Sequence, residues 1–212
     1  IVTPLFKKGS KSDVSNYRPI TVLPTLSKII ELVIHEQLYN YFEKNHLLSP
    51  VQFGFRKNKS TTQAVQQLLD NIYDAFEKKI PAVSLHFDLT KTFDMINHEL
   101  LFCTLKHYGL NCSALKLMKS YLSNRRQMVK VESADGLVFS NEASLNVGGP
   151  QGSTLGPLLF IIFINDLPFS DFNTYLFADD TSLVLKGKDI TMQVIEAFTK
   201  ICHWFSCNGL FV

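Results

Sequence analysis

Hydrophobic and polar positions along the chain change period several times, and each change predicts an element. Residues 1–6 and 17–23 read as strands flanking a Lys-rich loop, a hairpin with a basic tip. Thr25 is placed to cap a helix in which Leu26, Ile29, Ile30, Val33, Leu38 and Phe42 keep helical spacing. After a loop containing Gln52, Phe53, Gly54, Phe55 and Arg56, Thr61 or Thr62 opens a second helix, with Val65, Leu68, Leu69, Ile72 and Phe76 as its inner face. Residues 83–87 form a strand that ends on Asp88, and a turn through Phe93 and Asp94 leads to Asn97, the cap of a helix reaching Leu105. Residues 114–122 predict another short helix, and residues 126–131 alternate as a strand does.

Further along, residues 145–147 enter the turn Gly148-Gly149-Pro150-Gln151-Gly152. It delivers the chain into an apolar helix over 154–164, with Pro157 tolerable in the first turn. Two β-prone runs then flank Asp179, Asp180 and Thr181, as hairpin arms flank their turn. Ile190, Val194, Ile195, Phe198, Ile201 and Phe205 mark a last amphipathic helix. Hairpins and helices mix without regular βαβ alternation, so the fold class is α+β.

Composition excludes some classes. A 46% hydrophobic content is enough for one substantial core or two small ones, and it argues against disorder. The most apolar run, residues 155–164, is too short to span a bilayer, so a buried helix and no membrane partner are expected. Four cysteines show no paired short spacing. Cys202-His203 and Cys207 would make only half a zinc cluster, so reduced thiols in an intracellular protein are the reading. Ile1 is not an initiator and Val212 follows an apolar run directly, so both ends read as cut from something longer.

Charge is uneven. Residues 1–60 hold nine Lys/Arg against four Asp/Glu, a balance of +5, while residues 61–212 hold twelve against fifteen, a balance of −3. A basic N-terminal lobe opposite an acidic C-terminal lobe suits a polyanion held by one and metal held by the other, with a solvated basic face as the alternative. An Asp-Asp pair alone is weak, but Asp179 and Asp180 sit at a strand end, as Asp88 does. Successive strand residues alternate faces, so only one of the pair need face Asp88, and Asp179, nearer the apolar arm, is the expected direct ligand. Three carboxylates together would repel, and bound Mg2+, with Mn2+ as substitute, removes that objection. Two such ions about 3.5–4 Å apart activate a hydroxyl and stabilise a leaving pyrophosphate. Phe93 could wall the same pocket or fill the core. Gln151, in its glycine turn, could meet a nucleotide or close an ordinary turn. Lys7, Arg18 and Arg56 could clamp phosphates or be surface charges.

Taken in order, the segments 16–20 (Asn-Tyr-Arg-Pro-Ile), 52–56 (Gln-Phe-Gly-Phe-Arg), 87–94 (Phe-Asp-Leu-Thr-Lys-Thr-Phe-Asp), 149–153 (Gly-Pro-Gln-Gly-Ser) and 177–180 (Phe-Ala-Asp-Asp) resemble the successive motifs of reverse transcriptases. The flavour is that of non-LTR, LINE-like retrotransposons, and residues 120–127 and 163–167 look like the same group. The resemblance covers essentially the whole chain. It implies a right-hand polymerase with an antiparallel palm sheet packed on helices and the thumb absent. Residues 1–80 would be fingers, and 81–212 palm with intervening finger elements.

By that resemblance Asp88, Asp179 and Asp180 are the catalytic, metal-binding acids, and Leu89 offers its backbone carbonyl to a metal. Phe93 matches the residue that blocks a ribose 2′-hydroxyl, and Gln151 the glutamine beside the incoming nucleotide. Lys7 and Arg18 match basic residues that hold the triphosphate, while Arg56 and Gly152 fall near nucleic acid. The implied partners are an RNA template, a DNA primer or target DNA, and dNTPs, with an upstream endonuclease in the parent protein. The implied location is intracellular, in nucleus and cytoplasm as a ribonucleoprotein. Gly149 stands where Val is usual, and Thr92 where Ala is usual. A decayed or domesticated copy that only binds RNA, or an intron-encoded reverse transcriptase, is the alternative.

Overall fold

The computed structural model describes residues 1–89, 92–133 and 136–211; Thr90 and Lys91 of the acidic motif and Val212 lie outside the described residues. β1 (Val2–Phe6) and β2 (Tyr17–Thr21) form the expected antiparallel hairpin, with Leu5 opposite Arg18 and Phe6 opposite Tyr17. α1 (Thr25–Lys44) begins at Thr25, with Pro24 rather than Thr25 in the cap position. It turns Glu31, Leu38, Tyr39 and Phe42 inward, but Leu26, Ile29, Ile30 and Val33 of the same helically spaced series are exposed. Helical spacing identifies a stripe but not the neighbour that covers it.

α2 (Thr61–Glu77) starts at a capping box in which the Gln63 amide donates to Ser60 Oγ and the Ser60 amide donates to Gln63 Oε1. Ala64 and Ala75 are its buried residues, with Leu68 and Ile72 packed beside them. Val65, Leu69 and Phe76 of the expected inner face are exposed instead. β3 (Ala82–Phe87) runs into Asp88 as its sequence implies. The turn expected through Phe93 and Asp94 is a short helix, α3 (Thr92–Met95). α4 (His98–His107) is capped by Asn97, whose Oδ1 accepts from Glu99 and Leu100 N–H, and α5 (Cys112–Leu122) by Asn111.

The alternating stretch 126–131 is broken into β4 (Arg125–Gln127) and β5 (Lys130–Ser133), because the two pair with different partners. β5 joins β6 (Gly136–Phe139), and β4 joins β7 (Ala143–Leu145). α6 (Leu155–Phe163) is buried along nearly its whole circumference, as an all-apolar helix must be. β8 (Asn173–Phe177), β9 (Asp180–Lys186) and α7 (Ile190–Cys207) complete the chain.

The principal sheet is antiparallel, ordered β3-β9-β8. Register places Leu85 opposite Leu183 and Phe87 opposite Thr181, with Leu176 also opposite Thr181. That face joins the main core with Phe160, Phe163, Leu101 and Phe205. The other face carries Ser84, His86, Ser182 and Val184 in alternation, continuing onto Asp88 and Asp180, and α2 lies across part of it through Ala64 and Leu68. The architecture is mixed, with antiparallel sheets packed on helices. Among the described residues no helix is long and apolar enough to cross a membrane.

Candidate functional site

β8 and β9 bring the paired acids to one sheet end, but their turn is one residue earlier than the sequence suggests. Phe177 pairs with Asp180, so the two turn residues are Ala178 and Asp179, and Asp180 and Thr181 belong to β9. Ala178 takes φ +56°, the conformation that the first central residue of a primed hairpin turn requires and that Gly adopts most easily. Asp88 follows Phe87, which pairs with Thr181, so register carries Asp88 beside Asp180. Partial burial, then Asp179 and then Asp88 hold the Asp180 carboxyl above its ordinary value of 3.8. Thr92, itself 2% exposed, donates its hydroxyl to Asp179 Oδ2 at 2.9 Å.

Around this end the polypeptide is tied together by backbone bonds. Gly149 N–H donates to Phe93 O (2.9 Å) and Gly148 N–H to Ile96 O (2.8 Å), binding the glycine turn to α3. Gly148 has φ +73°, and a Cβ there would lie 2.6 Å from Asp94 O, so the position needs Gly. A Cβ at Gly149 would meet nothing closer than 4.0 Å, so this position, unlike Gly148, has room for a larger residue. Gln151 Nε2 donates to Asp94 Oδ2 at 2.7 Å, and Phe93 packs on Phe160 and edge-on to Phe55. A cleft of about 360 Å³ opens beside Asp88 and Asp180, walled by Ala64, Val65 and Leu68 of α2 and by His86, Tyr175 and Phe177 of the sheet.

The basic hairpin adjoins this assembly through Thr21 N–H, which donates to Gln151 O at 2.8 Å, and through Gly152, whose Cβ would lie 3.0 Å from Thr21 O. Lys7 N–H donates to Asn16 O, extending the β1–β2 ladder by one pair. Lys7 and Arg18 therefore fall on one hairpin face, both exposed. Arg56 is placed differently. Its Nε and Nη2 bind both oxygens of Glu43 at 2.8 and 2.9 Å, its Nη1 donates to Ser49 O at 2.7 Å, and its side chain is 11% exposed. Leu89 is buried in the core and fixes the chain just beyond Asp88.

Two residues of the site escaped the sequence reading. Gln52 is 1% exposed, and its Oε1 accepts from Gly54 N–H (2.8 Å) and from Ala178 N–H (3.0 Å). Thr92 reaches Asp179. The available signal was a polar side chain between Val51 and Phe53 for Gln52, and for Thr92 its place immediately before Phe93 where Ala is usual in the resembled motif. A third buried polar group, Glu31, links α1 to the start of α6 by accepting from Tyr121 Oη (2.8 Å) and Thr154 N–H (2.6 Å).

Among the described residues no three His, Cys, Asp or Glu side chains stand as a closed ligand group. What Asp88, Asp179 and Asp180 share is an all-oxygen donor set and mutual repulsion, the two properties that a hard divalent cation satisfies.

An antiparallel sheet brings three aspartates to one end, and the glycine-rich turn is hydrogen-bonded to the short helix α3 beside them. Residues 6–212 match the family model described as reverse transcriptase (RNA-dependent DNA polymerase), and the chain belongs to that family. Its relatives put it among the non-LTR retrotransposon domains. It is 32% identical over 89% of its length to the "probable RNA-directed DNA polymerase from transposon X-element" of Drosophila melanogaster, covering 21% of that protein. It is 35% identical over 80% of its length to the corresponding transposon BS protein of the same species, covering 18% of it. Against the jockey RNA-directed DNA polymerase of Drosophila funebris it is 31% identical over 92% of its length, covering 22%. The chain thus spans about a fifth of the curated relatives it matches. Among solved structures it resembles telomerase from Candida albicans, with a TM-score of 0.57 and 15% identity over all of this chain and 42% of that one. Apo telomerase from Candida tropicalis gives 0.58 and 13% over 87% and 35%. These likenesses support a reverse transcriptase fold.

Proposed function

We infer that this chain is the fingers and palm segment, residues 1–80 and 81–212, of a longer RNA-directed DNA polymerase that extends a DNA primer with dNTPs on an RNA template. The observation that carries this reading is the convergence of Asp88, Asp179 and Asp180 beside Phe93 and the glycine turn, in a chain of this family. Asp88, Asp179, the neighbouring Asp180 and the backbone carbonyl of Leu89 would hold the divalent ions, Mg2+ by preference. Such ions supply Lewis-acid stabilisation of charge on phosphate oxygens and on the leaving pyrophosphate.

The chain's own residues do the rest. Lys7 and Arg18, exposed on one face of the hairpin, bind the triphosphate. Phe93, held between Phe160 and Phe55, presents a ring that excludes a 2′-hydroxyl. Gln151, fixed by Asp94, and Gly152 line the approach of the base and the template. The primer 3′-oxygen forms the new bond to the α-phosphorus, and the bond to the β-phosphate oxygen breaks. Arg56, committed to Glu43, supports the loop beneath the site.

The test is primer extension on an RNA template by the complete polypeptide that carries this segment, with dNTPs and then with rNTPs. Extension with dNTPs is expected, and Phe93→Val is expected to admit rNTPs. No extension under any divalent ion sinks the polymerase reading, and Phe93→Val that still refuses rNTPs removes the steric role of Phe93.

A further inference from the structure

The residues 51–54 do more than connect α1 to α2. Val51 O accepts from Leu176 N–H (2.9 Å), and Phe53 N–H donates to Leu176 O (2.8 Å). Gln52 bridges Leu176 in parallel, so this loop adds a short parallel strand to the outer edge of β8, next to the turn that carries Asp179. At its end Gln52 Oε1 receives two amide protons, from Gly54 and from Ala178. Both neighbours are N–H donors, so the side-chain oxygen must face them; the orientation of the amide is fixed by chemistry.

Three features mark this as more than packing. Ala178 holds φ +56°, a conformation that costs a non-glycine residue about 1 kcal/mol and persists only where the surroundings impose it. Gly54 approaches the same peptide so closely that a Cβ would lie 2.2 Å from Ala178 N and 2.9 Å from its Cα. Gln52 Nε2, finally, is buried with no partner among the described residues. Such an orphan donor costs roughly 1–3 kcal/mol, so a buried Gln is retained here for its oxygen alone.

We propose that Gln52 and Gly54 clamp the Ala178–Asp179 turn, with Gln52 as a positioning residue that sets where the Asp179 carboxylate stands relative to Asp88. The clamp acts from the loop side while Thr92 holds the carboxylate itself from α3. The proposal rests on the polymerase reading for its catalytic consequence, but its effect on cation binding does not require polymerisation. Shifting the turn by about 1 Å is expected to lower the chemical rate on the order of 100-fold while leaving nucleotide binding nearly unchanged.

The experiment compares Gln52→Met, Gly54→Ala and Gln52→Glu in the complete polypeptide. Readouts are single-nucleotide incorporation and Mn2+ binding by electron paramagnetic resonance without nucleic acid. Gln52→Met and Gly54→Ala should lower kcat by about 100-fold with KM for the dNTP within about threefold, and should weaken Mn2+ binding about tenfold. Gln52→Glu, which keeps an acceptor for both amides, should recover most of the kcat and the Mn2+ affinity. Folded Gln52→Met and Gly54→Ala proteins whose kcat and Mn2+ affinity stay within about twofold of the parent overturn the clamp. Where neither variant folds, amide exchange in the parent decides. Slow exchange at Ala178 and Gly54 supports the clamp, and exchange at the rate of an exposed amide overturns it. If the parent itself extends no primer, the polymerase reading fails, while the Mn2+ and exchange measurements still judge the clamp.

Discussion

The sheet β3-β9-β8 and the hairpin β1–β2 are both antiparallel, yet they are built for different work. The sheet has a core of Phe87, Leu176, Leu183 and Leu185 behind it, α2 against its other side, and the residue 51–54 loop paired along its β8 edge. Its acids therefore project from backbone that is fixed on several sides. In the hairpin, Val2 is the only buried residue of the two strands, and Leu5, Phe6, Lys7 and Arg18 face solvent. It is attached by few backbone bonds, among them those from Val2 N–H to Met128 O and from Thr21 N–H to Gln151 O. On the proposed function, groups that must stand in register for bond making sit on the packed sheet, and groups that need only supply positive charge sit on the lightly attached hairpin. Preorganisation matters for the former, while charge on an exposed arm acts over distance.

The sharpest way to break this contrast is to empty the core under the sheet. Phe160→Ala should cost about 3–5 kcal/mol, because the ring is fully buried and carries Phe93, whereas Val14→Ala near the hairpin loop should change stability by less than about 0.5 kcal/mol. Paired thermal melts measure both, and equal effects would dissolve the distinction. Glu31→Ala comes next. It leaves the Thr154 amide and the half-buried Tyr121 hydroxyl without their acceptor, a loss of roughly 2–4 kcal/mol by denaturant titration. An unchanged midpoint would show that the anchor of α6 lies elsewhere.

On the hairpin the expected effect is one of binding. Replacing Lys7 and Arg18 together with Ala should raise KM for the dNTP about tenfold with kcat within about threefold, and the penalty should grow at low salt. A fall in kcat alone would move these residues into the chemical step. The smallest effect concerns the support beneath the site. Hydrogen bonding from Arg56, the largest cause, holds the Glu43 carboxyl below its ordinary value of 4.5. A carboxyl depressed on folding stabilises above its unfolded value and loses that contribution as pH falls through the folded value. Stability should therefore decline as pH falls from the carboxyl's unfolded value of 4.5 through its lowered folded one, by no more than about 1 kcal/mol for this partly exposed pair. Glu43→Gln should flatten that part of the profile.

Much of this was legible in the chain itself. The all-apolar run at 155–163 could only be a buried helix, and Asn97 announced its helix because a side-chain oxygen must meet the free amides there, whereas the Asn111 cap went unread and its helix begins two residues before the expected 114. The three aspartates were found because each follows a β-prone run. Less visible were the features set by neighbours distant in sequence. The exposed faces of α1 and α2 follow from which elements happen to cover them, which periodicity does not encode. The hairpin turn fell at Ala178 and Asp179 although Ala is a poor choice for positive φ, and a turn propensity reading therefore placed it one residue late. The polar Gln52 between Val51 and Phe53 hints at a buried hydrogen bond, but its partner Ala178, 126 residues away, is not legible from the local sequence.

One measurement bears most directly on the claim that the sheet end is where phosphoryl transfer occurs. Single-turnover incorporation of one dNTP is followed in the complete polypeptide with Asp88→Asn and Asp179→Asn combined, folded as judged by its melting curve. Both carboxylates lie at or near solvent, so the fold should survive, and the rate should fall by at least about 1000-fold with the loss of several kcal/mol of charge stabilisation. Incorporation at the parental rate by that folded variant would contradict the assignment of the site.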